Sequence, residues 1–159
     1  ALTNFESGTT LNIGIVEGGT GANIVPAHAS AVVDVRFWDN QEYCQVNDQL
    51  LILAERPHLK GVAIKLTREA HKPAMMPSEG TQALMAIVEE CGQELGLPIC
   101  WQEVGGGSDA NLTAALGIPT LDGLGPIGAG FHSDEEYLDL ASIAPRIELL
   151  VRVLTRIAN

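Results

Sequence analysis

The most concentrated chemistry in this sequence lies between Gly125 and Tyr137, in the run G-P-I-G-A-G-F-H-S-D-E-E-Y. Glycine accepts positive φ and lets backbone approach a ligand closely, so such a loop can wrap a small group. It presents His132 next to Asp134, Glu135 and Glu136. An imidazole in that setting ligates a metal, moves a proton, or is an ordinary loop residue. The acidic neighbours read as solvated loop charges. A second run, Gly105-Gly106-Gly107-Ser108-Asp109-Ala110-Asn111, joins an expected strand to an expected helix. Backbone N–H groups there suit a carboxylate or an oxyanion; the alternative is a tight turn with Ser108 as the helix cap. No lysine follows these glycines, which excludes a phosphate loop. The G-x-S-x-G elbow that would make Ser108 a nucleophile is also missing. Arg36 shares a strand face with Asp34, as an ion pair or as a substrate clamp. Asn23, in N-I-V-P, either serves its turn or reaches a ligand.

The elements that must carry these residues follow from periodicity. Thr9 to Glu17 alternates Leu11, Ile13 and Ile15 with smaller or polar neighbours, predicting a strand with one buried face. Gly18-Gly19-Thr20-Gly21 reads as a turn, and Ala27 to Phe37 as a second strand, so the two form a hairpin. Asp39 followed by Glu42 resembles a capping box for a helix reaching Glu55, with Val46, Leu50, Leu53 and Ala54 at helical spacing. His58 to Ala70 alternates Val62, Ile64 and Leu66 with other residues and predicts a third strand.

The connector H-K-P-A-M-M-P, which contains Lys72, is the expected boundary between a first domain, 1–72, and a second, 73–159. Ser78 caps a helix to about Leu95 with Leu84, Ile87, Val88, Cys91 and Leu95 inward, and Gly96 ends it. Ile99–Val104 and Ile118–Leu121 read as short strands, separated by a short helix that Gly117 stops. A last helix, capped by Asp139 or Ser142 and carrying Pro145 in its first turn, points Ile147, Leu150, Val151, Leu154 and Ile157 inward. Helices alternating with strands in the second half predict an α/β layer with parallel strands.

Composition narrows the partners. A hydrophobic content of 46% fits a packed core, and a net charge of −11 argues against nucleic acid, which calls for a basic face. No apolar run is long enough to cross a membrane. Cys44, Cys91 and Cys100 cannot all pair and none stands in C-x-x-C; they read as buried thiols in a reducing, cytoplasmic setting. The opening A-L-T-N-F-E, with neither an initiator methionine nor a leader pattern, reads as the interior of something longer.

The ordered pieces T-L-N-I-G-I-V-E-G-G-T-G-A-N-I-V-P-A-H-A-S-A-V-V-D-V-R, H-K-P, G-G-G-S-D-A-N and G-A-G-F-H-S-D-E-E-Y span nearly the whole chain. Together they resemble the C-terminal part of the co-catalytic zinc amidohydrolases and peptidases. That family includes glutamate carboxypeptidase, aminoacylase, acetylornithine deacetylase and succinyl-diaminopimelate desuccinylase; the glutamate carboxypeptidase branch is the nearest. The resemblance implies a partial α+β lid domain, through which the protein forms a homodimer, followed by the C-terminal part of an α/β catalytic domain. It implies that His132 closes the second of two zinc sites. It further implies that Asn23 and Arg36 reach toward substrate and that the loop of Gly106, Gly107 and Ser108 holds the substrate's carboxylate end. Lys72 stands where the carboxypeptidase branch tends to have Arg, keeping the charge but losing the planar fork.

In such a site two zinc ions acidify a bound water and polarise an amide carbonyl. The substrate is then an N-acyl amino acid or a Glu-containing peptide. The family's H-x-D motif, Glu-Glu pair and general base precede the lid domain and have no counterpart here, since His28, His58 and His71 do not stand in H-x-D. The chain is therefore expected to be a fragment of a longer hydrolase, inactive alone. The alternative from another class is a non-catalytic dimerisation module derived from that family.

Overall fold

The computed structural model describes residues 2–159. The fold is mixed α/β and clusters into two compact units. One unit runs to Met75 and takes in Glu103–Gly107; the other comprises Met76–Gln102 and Ser108–Asn159.

In the first unit, β1 (Thr10–Gly18) and β2 (Ala29–Arg36) pair antiparallel, as the alternation predicts. The register shifts between Ile13 and Ile15, so Gly14 is the extra residue of a bulge. The expected buried face does not materialise: Ile13 is 62% exposed, and Ile15, Val16, Val32 and Val33 are exposed as well. A two-stranded ribbon has two faces and nothing of its own to lay on them.

Helix α1 (Asn40–Glu55) starts as its sequence dictates, with Asp39 Oδ1 accepting the Glu42 amide at 2.8 Å. The reciprocal half of the capping box is not made. Glu42 Oε2 instead accepts the Ser7 and Thr9 hydroxyls, each at 3.0 Å, and Thr9 is buried. These bonds tie the N-terminal segment to the helix. Asp39→Ala should cost about 1 kcal/mol, the usual worth of an N-cap side chain, read as a lowered urea midpoint at unchanged slope.

The third strand predicted over His58–Ala70 is absent; this stretch has no ladder, and Val62, Ile64 and Leu66 are exposed. Alternation alone cannot make a strand where no neighbour supplies hydrogen bonds.

In the second unit, α2 (Glu79–Leu95) opens with Ser78 Oγ accepting the Thr81 amide and closes at Gly96, whose φ of 67° is the left-handed C-cap conformation. α3 (Ala110–Ala115) is short. β3 (Gly128–Ala129) and β4 (Tyr137–Leu138) form a small antiparallel hairpin where the glycine-rich sequence predicts a loop. A 3₁₀ turn, Leu140–Ser142, is capped by Asp139 Oδ1 on the Ala141 amide and runs into α4 (Ile143–Ala158). Ser142 does not cap α4 with its side chain; its hydroxyl accepts the Ile127 amide at 2.8 Å instead.

The core of this unit is Val88 and Cys91 of α2 against Leu149 and Val153 of α4, with Ile87, Leu95, Leu97, Ile99, Trp101, Leu121 and Leu124 around it. On α2 the predicted face is the buried one. On α4 it is not. Leu149 and Val153 face α2, while Ile147, Val151, Leu154 and Ile157 are exposed. Ion pairs flank the α2–α4 seam: Arg156 holds Glu90 at 3.1 Å and Glu94 at 2.6 Å, and Arg152 reaches Glu94 at 3.4 Å. The Arg156 hydrogen bond keeps the Glu94 carboxyl below its ordinary pKa. The apolar stripe of α4 is wider than the part that α2 covers, so periodicity alone could not say which part is buried.

The strands predicted at Ile99–Val104 and Ile118–Leu121 carry no ladder, and no parallel pair occurs among the described residues. The thiols also differ from expectation: Cys91 is buried, whereas Cys44 and Cys100 are exposed. No described helix is long and apolar enough to cross a membrane.

Candidate functional site

His132 sits at the far end of the hairpin formed by β3 and β4, in the connection 130–136. The hairpin closes because its glycines leave no side chain in the way. A Cβ on Gly130 would lie 2.6 Å from the Glu135 carbonyl oxygen, and the Gly130 φ of 74° favours glycine independently. Within the loop, Ser133 donates its amide to Gly130 O at 3.1 Å and its hydroxyl to the same oxygen at 2.7 Å. Its hydroxyl accepts the Glu135 amide at 3.2 Å.

His132 itself has a φ of 65°, the one non-glycine positive φ among the described residues. For an L-residue with a bulky side chain this conformation costs on the order of 1–2 kcal/mol and persists only where surrounding bonds impose it. One of those bonds comes from Glu136, whose sequence position predicts only a solvated loop charge. Glu136 Oε2 accepts the His132 amide at 3.4 Å, so this carboxylate is a loop fastener as well as a solvated charge. The only sequence signal for it was a spacing of four residues from His132, which has no fixed meaning outside a helix.

The imidazole is exposed. Among the described residues no group of three or more His, Cys, Asp or Glu side chains could hold a metal ion. His132 can offer one nitrogen, and a zinc site requires about four ligands, which the described residues do not bring together.

The G-G-G-S-D-A-N run is divided between the units, Gly105–Gly107 in the first and Ser108 onward in the second. Ser108 is engaged in its own turn: its amide donates to Asn111 Oδ1 at 2.8 Å, and its hydroxyl accepts the Ala110 amide at 3.1 Å. These bonds close a local turn ahead of α3, whose cap position is Asp109 and not Ser108. Gly106 has open space where a side chain would be.

Within the first unit, Arg36 pairs with Asp34 at 2.9 Å, and both side chains are about half exposed. An exposed pair of this kind contributes little stability. The Arg36 Cδ lies 3.8 Å from where a Cβ on Gly105 would stand, so the arginine stem runs past the glycine run. Asn23 is exposed in the connection between β1 and β2, inside the turn closed by the Ile24 amide on Gly21 O at 3.1 Å.

Lys72 follows His71, whose ring lies 4.4 Å from that of Tyr43 and 6.1 Å from that of Phe37. Partial burial, and secondarily the Arg68 charge, lower the His71 pKa below its ordinary value. The sign follows from linkage: the unfolded chain takes up this proton first as pH falls. The stability that His71 contributes is complete above the ordinary imidazole pKa and declines as pH drops toward the folded value.

Comparison with known proteins adds sequence evidence. The profile described as peptidase family M20/M25/M40 matches residues 4–156. Carboxypeptidase G2 of Pseudomonas sp. (strain RS-16) is 32% identical over 145 residues, covering 88% of this chain and 34% of that protein. Aminoacylase-1B of Rattus norvegicus is 25% identical over 154 residues, covering 95% of this chain and 37% of that protein. The crystal structure of aminopeptidase PepT from Bacillus cereus superposes with a TM-score of 0.59 at 24% identity, over 95% of this chain and 40% of that one. The chain thus spans little more than a third of the length of these curated relatives.

Proposed function

Because this chain belongs to peptidase family M20/M25/M40, we propose that it is part of a longer zinc-dependent hydrolase that cleaves an amide bond beside a carboxylate. The substrate class is N-acyl amino acids or Glu-containing peptides. In this reading His132 is a metal ligand, and the remaining ligands and the general base come from parts of the protein outside this chain. The observation that carries it is the positive φ of His132 within a loop built on glycines. A costly backbone conformation at an exposed histidine is retained where the direction of the ring matters.

Asn23, Arg36 and Lys72 supply polar and cationic groups for the substrate's charged end, and Gly106, Gly107 and Ser108 supply backbone around its carboxylate. Lys72 acts there as a point charge, in place of a guanidinium fork. The names of the relatives, a carboxypeptidase and an aminoacylase, favour hydrolysis over a purely structural role.

The exposed apolar residues of β1 (Ile13, Ile15 and Val16) and of the outer side of α4 (Ile147, Val151, Leu154 and Ile157) support a longer polypeptide whose other parts cover these faces. The first unit then belongs to a lid domain through which two copies associate, and the second to the catalytic domain. The three free cysteines fit a reducing, cytoplasmic setting.

The test is metal removal from the full-length protein. Chelation should abolish hydrolysis of N-acyl amino acids, and added zinc should restore it, with about two ions bound per protomer by elemental analysis. Undiminished turnover in metal-free protein refutes the proposal.

A further inference from the structure

The segment that carries Lys72 has no secondary structure of its own, from Ala63 to Ser78. Its position depends on side chains, and the first turns of α1 provide them. Tyr43 Oη accepts a hydrogen bond from Arg68 Nη1 at 2.7 Å. The Tyr43 ring packs on His71 with centroids 4.4 Å apart, and Phe37 closes the cluster, 5.0 Å from Tyr43 and 6.1 Å from His71. Asn40 Oδ1 accepts the Ala74 amide at 2.9 Å. Asn40 and Tyr43 are three residues apart and so share a helix face. The segment is thus fastened at Arg68, His71 and Ala74, on either side of Lys72. The cluster also reaches the other cation: Phe37 directly follows Arg36 at the end of β2.

We propose that Asn40, Tyr43 and His71, with Phe37, are positioning residues that fix the backbone at Lys72 relative to the end of β2, so that the two cations meet a substrate carboxylate at a set spacing. This rests on the reading of Lys72 as a substrate-binding residue. The physical reason is entropic. Lysine has a long flexible stem, and an unfastened segment beneath it would spend binding energy on ordering both. Aromatic stacking with a hydrogen bond at each side fixes the backbone before substrate arrives.

The experiment uses the full-length protein and an N-acyl amino acid that it hydrolyses, N-acetylmethionine in the first instance, together with the matching carboxamide. Tyr43→Leu and His71→Ala should each raise KM for the carboxylate substrate about tenfold, with kcat nearly constant and KM for the carboxamide little changed. His71→Phe, which keeps a ring against Tyr43, should restore a KM close to that of the unsubstituted protein. Asn40→Ala should behave as a milder Tyr43→Leu, which keeps the test alive if that variant does not fold.

Lys72→Ala is the reference and should raise KM for the carboxylate substrate alone, on the order of 10- to 100-fold. If it does so while the Tyr43, His71 and Asn40 variants leave KM unchanged or lower kcat alike for both substrates, the positioning role is overturned and the binding role of Lys72 stands. If His71→Phe is as impaired as His71→Ala, stacking is not the device and the proposal fails. If Lys72→Ala does not discriminate between carboxylate and carboxamide, the substrate role of Lys72 fails and takes the positioning role with it.

Discussion

Replacing His132 with glycine in the full-length protein should remove most hydrolysis and lower its zinc content, while the protein folds at least as well as before. Glycine is the informative substitution. It relieves the positive φ, which alanine would keep at a cost of roughly 1–2 kcal/mol, so lost activity cannot be assigned to a collapsed loop. Loss of a ligand should exceed the roughly 10- to 100-fold effect of losing an outer partner of a metal site. His132→Ala should show the same loss of metal and turnover with a melting temperature below that of the glycine variant. Full zinc content and normal turnover in either variant would falsify the assignment of His132 as a ligand.

Leu149→Ala should destabilise the second unit by about 2–5 kcal/mol, the range for deleting a fully buried leucine. Leu149 is completely buried against Val88, Cys91 and Val153, in a core so small that little can relax into the space. Trp101 packs at the edge of this core, so its fluorescence reports the loss, in a Trp38→Phe background that silences the other indole. Leu154→Ala, on the exposed side of the same helix, should cost less than about 0.5 kcal/mol in the isolated chain. In the full-length protein the same substitution should approach the Leu149 value if other parts of the polypeptide cover that face. Equal small effects in both settings would show that the outer face of α4 is solvated throughout.

Much of the local structure was legible in the residues because its causes are local. Asp39, Ser78 and Gly96 start and stop helices through bonds and dihedrals within one turn, and all three do so here. Alternation around a glycine-rich turn likewise sufficed for the hairpin of β1 and β2. The failures share a different cause. Val62, Ile64 and Leu66 alternate as a strand does, yet a strand is completed by partners, and nothing in their own spacing says whether partners exist. The same holds for Ile99–Val104 and for the parallel sheet. On α4 the choice between Leu149 and Ile147 as core was made by the neighbouring helix, whose Val88 and Cys91 receive Leu149 and Val153.

At the candidate site, the glycines flagged the His132 loop, but neither the left-handed turn at His132 nor the hold of Glu136 on its amide follows from composition. The Phe37, Tyr43 and His71 cluster joins residues far apart in sequence, where periodicity is silent.

The way the chain is threaded through its two units has a consequence for cutting it. It passes from the first to the second at Met75–Met76, returns at Gln102–Glu103 and leaves again at Gly107–Ser108. A protease cut at the first junction therefore releases neither unit, since five residues of the first remain covalently embedded in the sequence of the second. A gene shortened to begin at Met76 would carry Glu103–Gly107 as a loop stripped of its own neighbours, and those five residues include Gly105, which the Arg36 stem runs past. The two units are interlaced as sequence, so no single cut in the chain isolates either one whole.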